Sequence, residues 1–274
     1  LCSPTAGIIS TMYFMSDSWL GLEGKVVAVT GATSGIGQGI ALAFAQQGAI
    51  PVLIGRDKTR LDETSDMVRS YGVEPKPFIC DVADQAAIQE VAARAGIVDV
   101  LVNNSGISKS DPLEDISLEN WEAVLKVNLT GMMLCSQAFG KGMLAKGSGA
   151  LVHITSISGR QPQANGGAYS PSKAAAIMLM RQYAFEWGPR GVRSNSISPG
   201  MTRTPLTEAY YNVGDVAERR AKAVPVGRVG VAQDMADIAL FLASDRAGYV
   251  NGADIIADGG FETTLMSTVP RPGY

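Results

Sequence analysis

From Lys25 onward the chain alternates short β-branched runs with longer stretches whose apolar residues recur about every 3.6 positions. This alternation constrains the fold more than any other feature. Successive parallel strands need a crossover long enough to hold a helix, so the pattern predicts an α/β fold, a doubly wound sheet with helices on both faces. The expected strands are VVAVT (Val26 to Thr30), PVLI (Pro51 to Ile54), KPFIC around Phe78, VDVLV around Leu101, ALVHI around Val152, RSNSI around Ser196 and ADIIA around Ile255. They read as near-continuous apolar runs, as strands buried on both faces do. Together they make one seven-stranded, mainly parallel sheet in a three-layer domain.

Helical stretches lie between the strands, among them GIALAFAQQG, which closes on Gly48, and LENWEAVLKVNLTGMMLCSQAF. No charged or Ser/Pro-rich linker divides the 274 residues, 46% of them hydrophobic, so a single domain is expected over 21–262. Residues 1–20 read as a flexible extension or tag remnant and 263–274 as a tail. The stretch from Met201 to Val229 breaks the alternation with Pro205, Tyr210, Tyr211, Gly214 and Pro225. An insertion at the carboxyl end of a strand is where a substrate lid belongs.

The net charge of -3 and the scattered Lys and Arg form no basic stripe, which argues against nucleic acid or an anionic membrane as partner. No run of about 18 apolar residues is present to span a bilayer. The opening segment has no basic n-region and no small-residue cleavage site, so no signal peptide is expected. Cys2, Cys80 and Cys135 lie far apart, as in a reducing compartment, and the cytoplasm is the expected location. The expected partner is a small molecule.

The first strand runs into Thr30-Gly31-Ala32-Thr33-Ser34-Gly35-Ile36-Gly37 and then an amphipathic stretch. Glycines permit a tight turn and let backbone N–H groups approach a pyrophosphate at the positive end of a helix. The spacing G-x-x-x-G-x-G departs from the common dinucleotide fingerprint, and a merely tight strand-to-helix turn is the bland alternative. At the end of the second strand stand Gly55 and Arg56, where an acidic residue would bind the adenosine ribose of NAD. A guanidinium there favours a ribose 2′-phosphate, hence NADP(H) over NAD(H). Asp57 is the argument for NAD(H), but it precedes a helical stretch and serves more simply as an N-cap.

Tyr169-Ser170-Pro171-Ser172-Lys173 opens the helix after the fifth strand, with phenol and ammonium four residues apart on one face. A free tyrosine titrates near ~10, and one positive charge at ~4 Å in an effective dielectric of ~20 can lower that by about 3 units. Lys173, helped by an oxidised nicotinamide ring, is therefore expected to depress Tyr169 and make it an acid/base near neutral pH. Ser156, at the carboxyl end of ALVHIT, can hydrogen-bond a substrate carbonyl oxygen. A nucleophilic Ser156 lacks a base: the only histidine, His153, lies three places earlier and points to the opposite face, where it reads as a structural residue. One histidine and scattered cysteines make no metal site.

With the Gly31 turn, Ser156 and the Tyr169/Lys173 pair in this order, the sequence resembles the short-chain dehydrogenase/reductase family from about Leu22 to Phe261. Asp81-Val82, Asn103-Asn104-Ser105-Gly106, Asn128 in KVNLTG, Pro199-Gly200 and the terminal ADGGF extend the likeness. It implies a Rossmann fold and an NAD(P)(H)-dependent oxidoreductase that moves hydride between nicotinamide C4 and a carbonyl or secondary alcohol. It also implies that Asn128 completes a tetrad with Ser156, Tyr169 and Lys173, holding a water that links the lysine to solvent. Asp81 and Val82 would cradle the adenine, Asn104 with Ser105 and Gly106 would lie along the cofactor, and Thr202 and Thr204 would hold the carboxamide. A homotetramer or homodimer is the family's habit, and AAAIMLMRQYAFEW suits the interface.

Two departures stand out. Ser105 replaces the family's usual alanine, and Ser34 stands where many NADP-preferring relatives carry a basic residue. The substrate is left open between a 3-oxoacyl thioester and a sugar acid, polyol, steroid or other secondary alcohol. A non-catalytic NADP(H)-sensing protein is the reading from another class, and the intact tetrad counts against it. Gln161, Gln163 and Asn165 suit hydroxyl groups, while Met201, Tyr210 and Tyr211 suit an apolar body. Arg160 and Arg203 are either carboxylate binders or solvated surface charges.

Overall fold

The computed structural model describes residues 19–205 and 207–269. The expectations for Cys2, for most of the N-terminal extension and for the end of the tail lie outside the described residues. All seven expected strands form: β1 (Val26–Thr30), β2 (Ile50–Gly55), β3 (Lys76–Ile79), β4 (Val100–Asn103), β5 (Gly149–Ile154), β6 (Val192–Pro199) and β7 (Asp254–Ala257). They join in the order β3-β2-β1-β4-β5-β6-β7, and every neighbouring pair is parallel. The chain steps outward from β1 in one direction and then returns to β4 on its other side. The crevice at that reversal, beyond the carboxyl ends of β1 and β4, is where α/β sheets bind ligands.

One face of the sheet is covered by α1 (Gly35–Gln46), α2 (Lys58–Arg69) and α9 (Ala232–Ala243). Ile40, Phe44, Leu61, Met235 and Leu240 pack there on Val27, Val29 and Leu53. Phe44 is wholly buried, and truncating such a side chain to alanine costs about 3–5 kcal/mol. Gly39 lets α1 and α9 touch, since a Cβ on it would lie 2.7 Å from that of Ala232. α1 stops as expected at Gly48, whose φ of +74° suits the residue after a helix.

The other face carries α3 (Gln85–Ala95), α5 (Met132–Lys146) and α6 (Tyr169–Trp187), with Ile88, Val91, Phe139, Met143 and Tyr183 against Ala28, Leu101 and Leu151. LENWEAVLKVNLTGMMLCSQAF is not one uniform helix. α4 (Leu118–Leu125) passes into a π-helical turn, Lys126–Gly131, before α5 begins. Gly131 sits against Val82, where a Cβ would come within 2.9 Å of Val82 Cγ2.

The expected lid carries two short helices, α7 (Glu208–Tyr211) and α8 (Val216–Ala223). Arg220 stacks on the rings of Tyr210 and Tyr211, and Arg203 lies over Tyr211. Beyond β7, residues Phe261–Thr268 coil as a 3-10 helix over the carboxyl end of the sheet's last strands.

Candidate active site

The glycine turn is built as its sequence requires. Gly31 and Gly35 hold φ of +67° and +58°, the left-handed region open to glycine at little cost. Gly37 is excluded from carrying a side chain: its Cβ would meet Gly31 O at 2.3 Å and Asn104 Nδ2 at 2.4 Å. Asn104 clamps the turn from the β4 side, donating to Thr30 O and Gly31 O at 3.0 and 3.2 Å. The backbone N–H groups of Asn104 and Ser105 both donate to Thr30 Oγ1. Thr30, not among the expected site residues, thus joins β1 to the segment after β4.

Ser34 caps α1 without a side-chain hydrogen bond, so the first turn of this helix keeps its N–H groups for another acceptor. Thr33 packs its methyl group on Gly55, and Gly35 faces Thr204, whose Cβ would be 3.3 Å from a Cβ added there. Ile36 packs into the core beside them. Arg56 emerges from the end of β2 with a largely exposed side chain, its Nη1 3.6 Å from Asp81 Oδ2. Asp81 caps no helix; it accepts from Ala83 N, while Asp84 caps α3. Asp57 is the N-cap of α2, as its position predicts, accepting from Arg60 N at 3.1 Å. Thr202 is buried and donates to Gly200 O, and Pro199 ends β6 beside them. A dinucleotide fits this set: an uncapped helix start for a pyrophosphate, with an exposed guanidinium at the far end of the groove.

The second group lies at the ends of β4 and β5. Tyr169 is the first residue of α6, set by a backbone hydrogen bond to Gly166 O, and Pro171 falls in the first turn, where a missing N–H costs nothing. Its hydroxyl is hydrogen-bonded to Ser156, which also accepts from Ser158 N at 3.0 Å. Lys173 is buried one turn below, its Nζ 2.8 Å from Ile154 O and 5.7 Å from the centre of the Tyr169 ring. Asn128 projects from the π-helical turn. It donates to Ile107 O and Ser172 Oγ and accepts from Ile107 N. A Cβ on Gly106 would lie 3.4 Å from Asn128 Oδ1 and 3.6 Å from Lys173 Nζ, so the three residues converge.

Among the protein's own groups, desolvation dominates at both Tyr169 and Lys173. Burial pushes the Tyr169 phenol above its ordinary value, opposed by the Ser156 hydrogen bond. Burial likewise pulls Lys173 down to about 8. Desolvation penalises a charge on either group, and the lysine gives one of its donors to a backbone carbonyl.

His153 is buried between Asn103 Nδ2 and Ser194 Oγ, and burial holds it down to about 3, neutral and structural. Arg160 and Arg203 are both paired within the chain: Arg160, partly exposed, forks onto Glu262 and reaches Asp254, and Arg203 pairs with Glu208 on the surface. Gln163 receives the Ser158 hydroxyl, and Asn165 holds φ of +56°, which asparagine tolerates.

A parallel doubly wound sheet with a glycine turn on one side of the crevice and a Ser-Tyr-Lys-Asn group on the other defines a nucleotide-dependent oxidoreductase. The chain matches the family model described as enoyl-(acyl carrier protein) reductase over residues 31–262 and belongs to the short-chain dehydrogenase/reductase family, NAD(P)-dependent oxidoreductases of carbonyl and alcohol groups. It is 38% identical over 244 residues to D-threitol dehydrogenase of Mycolicibacterium smegmatis, covering 88% of this chain and 94% of the relative. It is 35% identical over 243 residues to 3-oxoacyl-(acyl-carrier-protein) reductase of Thermotoga maritima, covering 87% and 98%. A solved structure from Beutenbergia cavernae, described as an NAD(P)-dependent gluconate 5-dehydrogenase with NADP bound at low occupancy, is 40% identical and superposes with a TM-score of 0.84, covering 88% of this chain and 98% of that one.

Proposed function

We propose that this protein is an NADP(H)-preferring oxidoreductase of secondary alcohols in which Tyr169 is the acid/base. The observation that carries this reading is the hydrogen-bonded pair Tyr169 and Ser156 standing over the buried Lys173 at the mouth of the switch crevice. A nicotinamide bound there supplies or takes up hydride at its C4. Tyr169 donates its proton to the substrate oxygen as a ketone is reduced, or accepts the alcohol proton in the reverse direction. Ser156 orients that oxygen, and Lys173 with Asn128 is assigned to carry the phenol's proton to solvent in oxidation and back from it in reduction.

Gly31, Thr33 to Gly37, Arg56, Asp81, Val82, Asn104 to Gly106, Pro199, Gly200, Thr202 and Thr204 are the residues assigned to hold the cofactor. Two observations favour NADP(H): Arg56 keeps exposed donors, and Asp57 is committed to capping α2. Among alcohols, a neutral polyol is favoured over a sugar acid, because Arg160 and Arg203 already hold carboxylates of their own chain. Met178 and Phe185 stand exposed on α6, which supports burial against further copies in a homotetramer. Cys80 and Cys135 are both free thiols, in keeping with the cytoplasm.

The test is oxidation of NADPH and NADH, followed by absorbance, against keto-sugars, sugar keto-acids and 3-oxoacyl thioesters. Turnover of keto-sugars with NADPH is expected. Tight NADPH binding with no turnover on any of them would reject the enzymatic reading.

A further inference from the structure

Asp254 is the first residue of β7, the edge strand, yet its side chain is only 2% exposed. Its Oδ1 accepts the hydroxyls of Ser196 and Ser198 at 2.7 and 2.8 Å, and Thr155 Oγ1 stands 3.4 Å away. Thr155 in turn meets Ser198 Oγ at 2.9 Å and donates to Ile197 O at 2.8 Å. The other oxygen, Oδ2, faces Arg160 Nη1 at 3.5 Å, and Arg160 is itself forked onto Glu262. A carboxylate accepts only, and Ser196, Ser198 and Arg160 donate to it, whereas the single hydroxyl proton of Thr155 goes to Ile197 O and its oxygen rests against Ser198.

The partners are placed in a telling way. Thr155 directly precedes Ser156, Ser198 directly precedes Pro199-Gly200, and Arg160 follows the turn that Ser156 begins. Glu262 belongs to the segment beyond β7. One buried carboxylate therefore gathers, from beneath, the chain segments that present the oxygen-orienting serine and the nicotinamide end of the cofactor groove. No contact to Ser156 or Tyr169 themselves is involved.

We propose that Asp254 is a positioning residue for hydride transfer, holding the segment of Ser156 in register through Ser198 and Thr155 while Arg160 and Glu262 clamp the C-terminal segment beside it. The proposal rests on the assignment of Ser156 as the residue that orients the substrate oxygen. It predicts a change in the rate of the chemical step with little change in cofactor affinity, because misplacement of reacting groups by about 1 Å can cost on the order of 100-fold.

The experiment is steady-state kinetics of the full chain with NADPH and its 4-deuterated form for Asp254→Asn, Thr155→Val and Thr155→Ser, each also in a Ser156→Ala background. Asp254→Asn keeps the shape but sets an amide donor against donors. Thr155→Val keeps the shape without the hydroxyl, and Thr155→Ser restores it. Asp254→Asn and Thr155→Val should each lower kcat by roughly tenfold, raise the deuterium isotope effect and leave the KM for NADPH within about twofold, whereas Thr155→Ser should retain the wild-type rate. In the Ser156→Ala background Asp254→Asn should cost no more than about twofold further. Unchanged kcat in both Asp254→Asn and Thr155→Val, or a full additional loss in the Ser156→Ala background, would overturn the proposal. Full activity of Ser156→Ala alone would instead remove the assignment of Ser156 on which it rests.

Discussion

Lys173 Nζ donates to the backbone oxygen of Ile154, two residues ahead of Ser156, at 2.8 Å. The bond fixes the ammonium inside the protein, and burial brings its titration down from 10.5 to about 8. Below about pH 8 the lysine is charged in both folded and unfolded chains, and folding bears the whole desolvation cost. Between about 8 and 10.5 the folded protein has released a proton that the unfolded chain still holds, so stability rises with pH. At 1.36 kcal/mol per unit the cost below pH 8 is on the order of 3 kcal/mol. Chemical unfolding of wild type and Lys173→Met should show a stability difference that shifts in favour of the wild type from pH 8 to 10.5. A shift in favour of the variant would contradict the burial of a charge here.

The phenol of Tyr169 is held above its ordinary value by burial, so the protein at neutral pH presents a proton to be given away. The rate of carbonyl reduction should be flat from about pH 6 to 9, and alcohol oxidation, which needs the phenolate, should rise with pH over the same range. Tyr169→Phe should lower kcat in both directions by about 1000-fold, the middle of the range for a general acid/base, while NADPH binding measured by fluorescence stays unchanged.

Arg56 tests the cofactor preference. A charge-assisted hydrogen bond contributes about 1.5–3 kcal/mol, or roughly 10- to 100-fold in affinity. Arg56→Ala should weaken NADPH by that factor and NADH by less than about threefold. Equal weakening of both would show that Arg56 contributes no recognition of the 2′-phosphate.

His153 makes an acid-stability prediction. It is neutral in the fold, held down to about 3, whereas an unfolded chain takes up the proton near 6.5. Stability should therefore fall as the pH drops from 6.5 toward 3, by about 1.4 kcal/mol per pH unit from this group. His153→Gln should flatten the urea-unfolding midpoint across that interval, and an unchanged slope would locate the acid sensitivity elsewhere.

The sheet was legible because its strands announce themselves: Val27, Leu53, Leu101 and Val152 sit in runs too uniformly apolar for a one-sided strand. Even the exposed β3 was found, as its neighbours in sequence set its place. Of the site, the groups brought together by one motif were readable, Tyr169 with Lys173 and the glycines from Gly31 to Gly37. What escaped depends on contacts between distant segments. Ile154 O, which holds Lys173, is a backbone atom with no sequence signature. Thr30 and Asp254 gain their roles only when β4 and β6 are laid beside β1 and β7. The rise that burial gives the Tyr169 phenol was not legible for a related reason: a charge four residues away is visible in a sequence, while desolvation is a property of the packed site.

The π-helical turn at Lys126–Gly131 acts as a phase shifter in an otherwise regular rod. Its wider winding advances the helix by about one residue relative to an α-helix, and one residue is a rotation of about 100°. α4 upstream thus meets α6 and α5 downstream meets the sheet in phases that a continuous α-helix could not give to both, and Asn128 emerges at the join. Loss of a single residue from KVNLTG would restore a smooth helix and rotate Phe139 and Met143 out of the core. Within this helix, length therefore constrains the fold as strictly as residue identity, and removal of one residue should be tolerated only where the loops at either end can absorb it.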